Sequence, residues 1–305
     1  MRILFFGTAQ FAVPSLDALA AHGHTIVQCI TQPDRPQGRG LRVDHSPVKQ
    51  AALRLNLPLA QPERLSADAL RGQTAEIGVV AAYGQLIRGD VLSLPTQGIL
   101  GVHPSLLPKY RGAAPVPWAL LKGEAVTGMT IFRLNERMDA GEMLLQQRVP
   151  VEPHEAADAL LARLAQIGAH CVIKTLEQLE HGTVSAVPQD EGQATLAPKL
   201  TKAHGRIQWS EPAQQIDRVV RATIGWPGAT TSWQGHELKI WAAAAYAHAP
   251  GGSAGTVVAV DQSAISVAAA DGIIQITEVQ AAGKRRMNVK EFLAGHRISV
   301  GDRLD

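Results

Sequence analysis

The sequence predicts an α/β protein in which parallel strands alternate with helices, followed by a small all-β domain. Short apolar runs alternate with helical patterns from Arg2 to His181, and closely spaced strand-like runs follow His204. The length of 305 residues suits about two domains. A composition of 46% hydrophobic and 18% charged residues is that of a globular protein and excludes global disorder.

The chain opens with a strand, helix, strand pattern. An apolar run from Arg2 to Phe6 ends at Gly7, a helical pattern follows through Leu16 and Leu19, and a second run covers Ile26 to Ile30. This connection is long enough for a parallel crossover, as at the start of a doubly wound sheet. FGTAQF lacks the G-x-G-x-x-G spacing of dinucleotide-binding loops, so we expect Gly7 to be a strand-end turn.

The rest of the first domain continues this alternation. Ser46 and Pro47 predict a helix N-cap and first helical residue. Apolar residues at helical spacing predict a long helix over 154–181 that covers the sheet. Further strands are predicted over 77–81, 99–102, 130–132 and 143–149.

Proline, glycine and mixed charge give residues 182–205 the composition of a linker. We therefore predict a first domain at 1–187, a linker at 188–205 and a second domain at 206–305. Close spacing of the runs in the last part favours a small antiparallel barrel or sandwich. Its strands are predicted over 237–241, 255–260, 264–268 and 273–279.

Charge and cysteine content exclude several classes. A net charge of +2 is too mild to identify a nucleic-acid binder. Cys29 and Cys171 lie in apolar periodic segments, which excludes a disulfide framework or a thiolate zinc site and indicates a reduced, cytoplasmic setting. The N-terminus lacks the apolar region of a signal peptide, and no stretch approaches the roughly 18 apolar residues of a membrane helix. We expect the protein to be neither exported nor anchored.

His103 directly follows a predicted buried strand, and ligands of open α/β sheets bind at that edge. A single strand-end histidine is also often structural. A second loop, at 137–142, carries Asp139 between two predicted strands. A carboxylate beside an imidazole fixes its tautomer and favours its protonated form, which makes a proton shuttle. Spacing alone leaves open whether the two residues meet.

Two segments carry clustered cations. Residues 31–49 place Arg35, Arg39 and Arg42 among proline and glycine, which suits either a solvated loop or a basic arm that tracks phosphates. Asp34 and Asp44 dilute that charge. The run 284–286 is either a solvated turn or a phosphate contact.

Motifs along the whole chain resemble those of the methionyl-tRNA formyltransferase family. SLLP with RGAAP is typical of the wider 10-formyltetrahydrofolate formyltransferases, and the QPDRPQGRG loop with the C-terminal domain narrows the resemblance to the tRNA enzymes. The matching segments are FFGT (5–8), TQPDRPQGRG (31–40), SPVK (46–49), VVAAYGQLI (79–87), VHPSLLPKYRGAAP (102–115), TGMTIF (127–132), MDAGEML (138–144), RIQW (206–209), WP (226–227), LKIW (238–241), PG (250–251) and QAAGKRRM (280–287).

The resemblance implies a Rossmann-like formyltransferase domain, a C-terminal OB-like β-barrel that docks tRNA, and formyl transfer from 10-formyltetrahydrofolate to methionyl initiator tRNA. It implies catalytic roles for His103 and Asp139. It indicates no metal, no membrane and no obligate protein partner. The folate contacts fall on Ser105, Leu106, Leu107 and Pro108, and the tRNA contacts that we predict are Arg35, Arg39, Arg42, Lys284, Arg285 and Arg286.

Gly101 departs from the family pattern, which has asparagine two residues before the histidine. An oxyanion develops on the formyl oxygen during transfer, so a preorganised donor at this position is expected to be valuable. Glycine supplies no side-chain donor. Protonated His103, a backbone N–H or a bound water would have to replace it.

Two other functions compete with this interpretation. One is a formyltransferase that acts on an amino sugar nucleotide or another amine, against which the basic segment 31–49 counts. The other is a folate- or tRNA-binding relative that lost catalysis with the asparagine. Turnover of charged initiator tRNA compared with small amines separates all three.

Overall fold

The computed structural model describes residues 1–37, 42–70, 72–87, 89–247, 249 and 251–305, with the backbone alone for 36, 37, 42 and 43. The chain packs as two compact units. The first comprises Met1–Pro115, Val126–Pro150 and Leu161–Pro198, and the second comprises Val116–Ala125, Val151–Leu160 and Lys199–Asp305. Residues 188–198, expected in a linker, thus pack within the first unit. The bounds 1–187, 188–205 and 206–305 stay a prediction.

The first unit contains a seven-stranded mixed sheet in the order β5-β2-β1-β6-β7-β8-β9. In this order, the neighbouring strands β5, β2, β1, β6 and β7 are parallel. Strand β8 is antiparallel to β7, and β9 is antiparallel to β8. The strands up to this point in the chain are β1 (Arg2–Gly7), β2 (Thr25–Ile30), β3 (Arg35–Gln37), β4 (Arg42–Asp44), β5 (Leu59–Ala60), β6 (Ile77–Ala81), β7 (Ile99–His103), β8 (Val126–Arg133) and β9 (Met143–Pro150). The predicted alternation of parallel strands and helices is confirmed.

The helices of the same part of the chain are α1 (Val13–Ala21), α2 (Pro47–Arg54), α3 (Gly89–Leu92), α4 (Pro115–Leu121) and α5 (Ala157–Glu180). The predicted start of α2 is confirmed, because the Ser46 hydroxyl accepts a hydrogen bond from the backbone N–H of Lys49 at 3.1 Å. The hairpin of β3 and β4 lies in the segment expected to be a loop, and β5 was not predicted.

Helix α5 packs against the sheet of the first unit, as predicted. A Cβ at Gly168 would lie 2.9 Å from the Met129 side chain of β8, so helix and sheet are in close contact there. Contrary to the sequence expectation, α5 is long and apolar enough to pass a membrane-span test, the single such helix among the residues described. More than half of its apolar window, 56%, is buried inside the protein, as in a core helix.

The second unit contains an antiparallel sheet in the order β10-β11-β14-β13-β12, with β15 paired to β14. The predicted antiparallel β domain is confirmed, although β10 and β15 were not predicted. Its strands and helices are α6 (Ala213–Ala222), β10 (Ala229–Trp233), β11 (His236–Tyr246), β12 (Val257–Val260), β13 (Ile265–Ala268), β14 (Ile273–Ala281), β15 (Met287–Asn288) and α7 (Val289–Leu293).

The last residues of the chain join the two edges of this sheet. Ser232 at the β10 edge exchanges backbone hydrogen bonds with Asp305 at 2.7 and 2.9 Å. At the β12 edge, the N–H of Val257 donates to the carbonyl of Asp302 at 2.8 Å. The tail therefore covers both edges and completes a barrel-like sheet around a buried apolar core.

Candidate active site

His103 is the last residue of β7, at the carboxyl edge of the parallel strands, and is 6% exposed. Its Nε2 lies 2.9 Å from the carbonyl oxygen of Tyr110. A carbonyl only accepts hydrogen bonds, so Nε2 carries a proton in either charge state. The neutral imidazole therefore has its free lone pair on Nδ1, which is the nitrogen able to take up a proton.

Asp139 lies in the loop between β8 and β9 and faces that nitrogen. Its Oδ2 is 3.8 Å from His103 Nδ1 and accepts a hydrogen bond from the backbone N–H of Gly112 at 2.8 Å. The two residues predicted as a pair are therefore brought together. A separation of 3.8 Å exceeds a hydrogen bond but is short enough for a carboxylate to stabilise an imidazolium.

The segment Ser105 to Pro108 is fixed against β8 by one buried hydroxyl. Thr130 Oγ1 donates to the carbonyl of Ser105 at 2.7 Å and accepts from the backbone N–H of Leu107 at 3.1 Å. Gln146 Nε2 donates to the carbonyl of Leu107 at 2.7 Å. Ser105 and Leu107 are buried, while Leu106 and Pro108 are half-buried. The proposed folate contacts thus form one tight turn beside His103.

Gly101 lies two residues before His103 in β7 and pairs across the sheet with Phe132 of β8. Its φ is not positive, so its backbone would tolerate a side chain. A Cβ at this position, however, would lie 2.3 Å from Phe132 Cε1 and 2.8 Å from Leu134 Cδ1. The Phe132 ring therefore occupies the space of a side chain at 101, and it meets the His103 ring edge-on at 6.4 Å.

A hydrogen-bond network that the sequence did not reveal supports the Asp139 loop. Gln189 Nε2 donates to the carbonyls of Asp139 and Gly141, at 2.8 Å each. Its Oε1 accepts from Arg111 Nε at 3.0 Å and from Nη2 at 2.8 Å. Gln189 lies in the segment predicted to be a linker, and no local sequence signal marks it, because its partners are 48 to 78 residues away.

Arg111 is itself held by Glu191, which accepts hydrogen bonds from Nη1 at 3.1 Å and Nη2 at 3.0 Å. Arg137 also donates to Glu191, at 2.7 Å. The hydrogen bonds from Arg111 and then Arg137 lower the pKa of the Glu191 carboxyl to about 2. Arg111 is 6% exposed, so this carboxylate neutralises an otherwise buried cation.

Arg35 lies on the surface, where its guanidinium is 3.7 Å from Glu63. The neighbouring Asp34 is paired within the first unit, with Lys49 and with His45 Nδ1 at 3.0 Å. Hydrogen bonds from Lys49 and then Gln61 lower the pKa of Asp34 to about 2. Lys49 is thus paired with the half-buried Asp34, while the partner described for Arg35, Glu63, is exposed.

For two further predicted tRNA contacts, the structure describes no side chain. Arg39 lies outside the described residues, and Arg42 is described by its backbone, in β4 opposite Gln37. Their predicted contacts with tRNA stay predictions.

The run 284–286 follows β14 on the surface of the second unit. Arg285 Nη2 is 3.2 Å from Glu291, and Arg286 pairs with Glu278. The Arg286 guanidinium also lies over the Trp241 ring, 4.9 Å from its centroid, in a cation–π contact. Lys284 is exposed.

Metal-ligand and thiol chemistry have no assembled site within the described part of the chain. No group of three or more His, Cys, Asp or Glu side chains there could hold a metal ion. Cys29 and Cys171 are free and buried. Burial raises the pKa of the Cys29 thiol to about 12 and that of Cys171 to about 11, which leaves both protonated at neutral pH.

Comparisons with known proteins give one consistent result. Residues 1–176 match the family described as Formyl transferase, and residues 199–297 match its C-terminal domain. A methionyl-tRNA formyltransferase of Solibacter usitatus is 44% identical over 312 residues, covering 100% of this chain and 98% of the relative.

Solved structures share the fold. HypX from Aquifex aeolicus, in complex with tetrahydrofolic acid, has a TM-score of 0.69 at 20% identity, covering 99% of this chain and 50% of HypX. An N-formyltransferase from Helicobacter canadensis, in complex with folinic acid and dTDP-3-aminofucose, has a TM-score of 0.69 at 14% identity, covering 92% of this chain and 98% of that chain.

Proposed function

Since the chain belongs to the methionyl-tRNA formyltransferase family and formylates methionyl initiator tRNA for translation initiation, we propose that 10-formyltetrahydrofolate is its donor and that His103 and Asp139 carry the transfer. The observation that carries this proposal is the juxtaposition of His103 Nδ1 and the Asp139 carboxylate at the carboxyl edge of the sheet. As a translation enzyme, the protein is proposed to act in the cytoplasm.

The transfer requires one proton to move. The α-amino group of the methionyl ester attacks the formyl carbon and forms the new C–N bond. The bond from that carbon to N10 of the folate breaks. The amine loses a proton and N10 gains one, so a base that later acts as an acid is needed. His103 suits this role because Nε2 is occupied by Tyr110 and Nδ1 is able to accept and return a proton.

Asp139 stabilises the imidazolium that exists after His103 has taken the proton from the amine and before it gives the proton to N10. The hydrogen bond from Gly112 holds its carboxylate on the Nδ1 side of His103. A fixed charge already in place needs no reorganisation when the proton moves. Because Nδ1 is 3.8 Å from Oδ2, outside hydrogen-bond distance, we propose that the protonated nitrogen points at the developing oxyanion in place of the missing asparagine.

The tRNA is proposed to bind through the basic segments and an exposed aromatic residue of the second unit. Arg35, Arg285 and Arg286 lie on the surface, as phosphate contacts require. Trp226 is 61% exposed, and a Cβ at Gly228 would lie 3.4 Å from the Lys239 ammonium. An exposed indole suits a stacked base, and a cation in the same part of the unit suits a phosphate.

A formylation assay tests this function. The purified protein is supplied with 10-formyltetrahydrofolate and, separately, with charged initiator tRNA, a dTDP-amino sugar or free methionine. We expect turnover with the tRNA and loss of turnover in His103→Ala, while His170→Ala, which removes an exposed histidine of α5, stays active. Turnover with the amino sugar alone would assign the other formyltransferase activity, and folate or tRNA binding without turnover would indicate a non-catalytic relative.

A further inference from the structure

We propose that Gln189 is a positioning residue of the reaction, which holds the Asp139 carboxylate against His103 through the main chain of the Asp139 loop. The inference rests on the proposed catalytic roles of His103 and Asp139. Gln189 is buried and lies far along the chain from both residues. Its carboxamide uses both of its N–H groups on this loop, one on the carbonyl of Asp139 and one on that of Gly141.

The orientation of the Gln189 carboxamide follows from its partners. Arg111 offers only donors, and the two loop carbonyls are only acceptors. The amide oxygen must therefore face Arg111 and the nitrogen must face the loop, since the reversed amide would oppose donors to donors and acceptors to acceptors. The carboxamide thus acts as a two-sided clamp between a fixed guanidinium and the Asp139 loop.

The backbone of Asp139 has a conformation that such a clamp would stabilise. Asp139 has a φ of +50°, in the left-handed region, which residues with a side chain seldom adopt, although aspartate does so more often than most of them. Such a conformation persists only where the surroundings over-determine it. The hydrogen bond to the Asp139 carbonyl holds the peptide that follows this residue, and hence the direction in which its carboxylate leaves the main chain.

The other end of the clamp is anchored firmly. Arg111 is buried and makes a two-point ion pair with Glu191. Its neighbours in the chain contact the catalytic pair directly, through the Tyr110 carbonyl on His103 and the Gly112 N–H on Asp139. Gln189 therefore ties the Asp139 main chain to the same short segment that orients His103 and the Asp139 carboxylate.

This role predicts an effect on the chemical step and little effect on substrate binding. Gln189 reaches the reaction only through Asp139, and a misplacement of about 1 Å costs about 100-fold in rate. We expect Gln189→Ala to lower kcat about 10-fold to 100-fold, with KM for folate and for tRNA within about twofold of wild type. Gln193→Ala is the matched control, because Gln193 lies in the same segment and bonds to Asp190 instead.

A second variant separates the clamp from packing. Gln189→Glu keeps the size of the side chain and its acceptor toward Arg111 but removes both donors, so the loop carbonyls would face a carboxylate. We expect the same loss of kcat as in Gln189→Ala. Wild-type kcat in Gln189→Glu would overturn the proposal, because a side chain that only fills space would be replaced well by glutamate.

A double-mutant cycle tests whether Gln189 acts through Asp139. In an Asp139→Asn background, Gln189→Ala should lower kcat by less than about twofold more, because residues that act as a unit are not additive. Full additivity would overturn the proposal. A crystal structure of Gln189→Ala gives a readout independent of activity: we expect Asp139 to leave the left-handed region, and an unmoved loop contradicts the clamp even if wild type proves to have another substrate.

Discussion

The proposed active site and the proposed tRNA-binding surfaces of this protein are built in opposite ways. His103 and Asp139 are held by backbone groups of Tyr110 and Gly112, and the main chain of Asp139 is held in addition by a buried carboxamide. Arg35 and Arg285, by contrast, are 66% and 69% exposed, and the carboxylates that pair with them, Glu63 and Glu291, are themselves exposed.

The difference follows from what each region has to do. Proton transfer needs groups that stay in place while charge moves, so preorganised contacts are favoured. Phosphate binding needs cations that are able to exchange partners, and exposed ion pairs contribute only about 0 to 1 kcal/mol. At the proposed tRNA-binding surfaces, a phosphate would therefore replace an exposed glutamate at little cost.

The largest expected effect tests the preorganised contacts of the proposed active site. Asp139→Asn keeps the size of the side chain and an acceptor for the Gly112 N–H but removes the charge beside His103. We expect kcat to fall about 100-fold to 10,000-fold with little change in melting temperature. Steady-state kinetics with charged tRNA measure this, and a fully active variant would make Asp139 a structural loop carboxylate.

The next effect concerns the space beside His103. Gly101→Asn would restore the usual family residue, but its Cβ would meet the Phe132 ring at 2.3 Å. Overpacking of this kind costs about 1 to 3 kcal/mol, so we expect a lower melting temperature and no gain in kcat. The double variant Gly101→Asn with Phe132→Ala removes the contact with the ring and leaves the one with Leu134, and Phe132→Ala alone is its control. A stable single variant with raised kcat would show that the ring moves aside and that the site lacked a donor.

The proposed tRNA contacts are tested through the salt dependence of tRNA binding. Arg39→Ala and Arg286→Ala should each raise KM for tRNA and reduce the slope of log affinity against log salt by about 1, because each would remove one of the proposed phosphate contacts. Folate affinity should stay nearly unchanged. Binding titrations at several salt concentrations measure the slope, and equal losses of tRNA and folate affinity would contradict the assignment to tRNA.

The smallest effect is a pH dependence of stability at Glu191. Hydrogen bonds from Arg111 and then Arg137 lower its folded-state pKa from 4.5 to about 2. A carboxyl with a lowered folded-state pKa stabilises the fold above its unfolded pKa and loses that contribution as pH falls through the folded value. We expect Glu191→Gln to reduce the loss in free energy of unfolding between about pH 4.5 and 2. Urea unfolding at several pH values measures this loss, with Glu63→Gln as the control. An unchanged pH profile would contradict the ion pair.

The sequence by itself determined the features that depend on neighbours in the chain. Alternating apolar runs and helical periods predicted β1, α1 and β2, and the Ser46–Pro47 pair predicted the start of α2, because both signals lie within a few residues. The strand-end position of His103 and the position of Asp139 between two predicted strands marked both residues as candidates, and the family resemblance implied their catalytic roles. Short elements such as β3 and β5 were missed, since two or three residues carry no periodicity.

Only the tertiary structure decided which groups hold the site in place. Gln189 meets Asp139 across 50 residues of sequence, Phe132 fills the space beside Gly101 from the neighbouring strand, and Asp305 completes an edge of the second sheet at Ser232. No pattern in one sequence marks these pairs, because a buried carboxamide or a close ring contact is favourable only once packing has excluded water and fixed both partners. Local patterns thus specify the elements, and burial specifies which of their side chains meet.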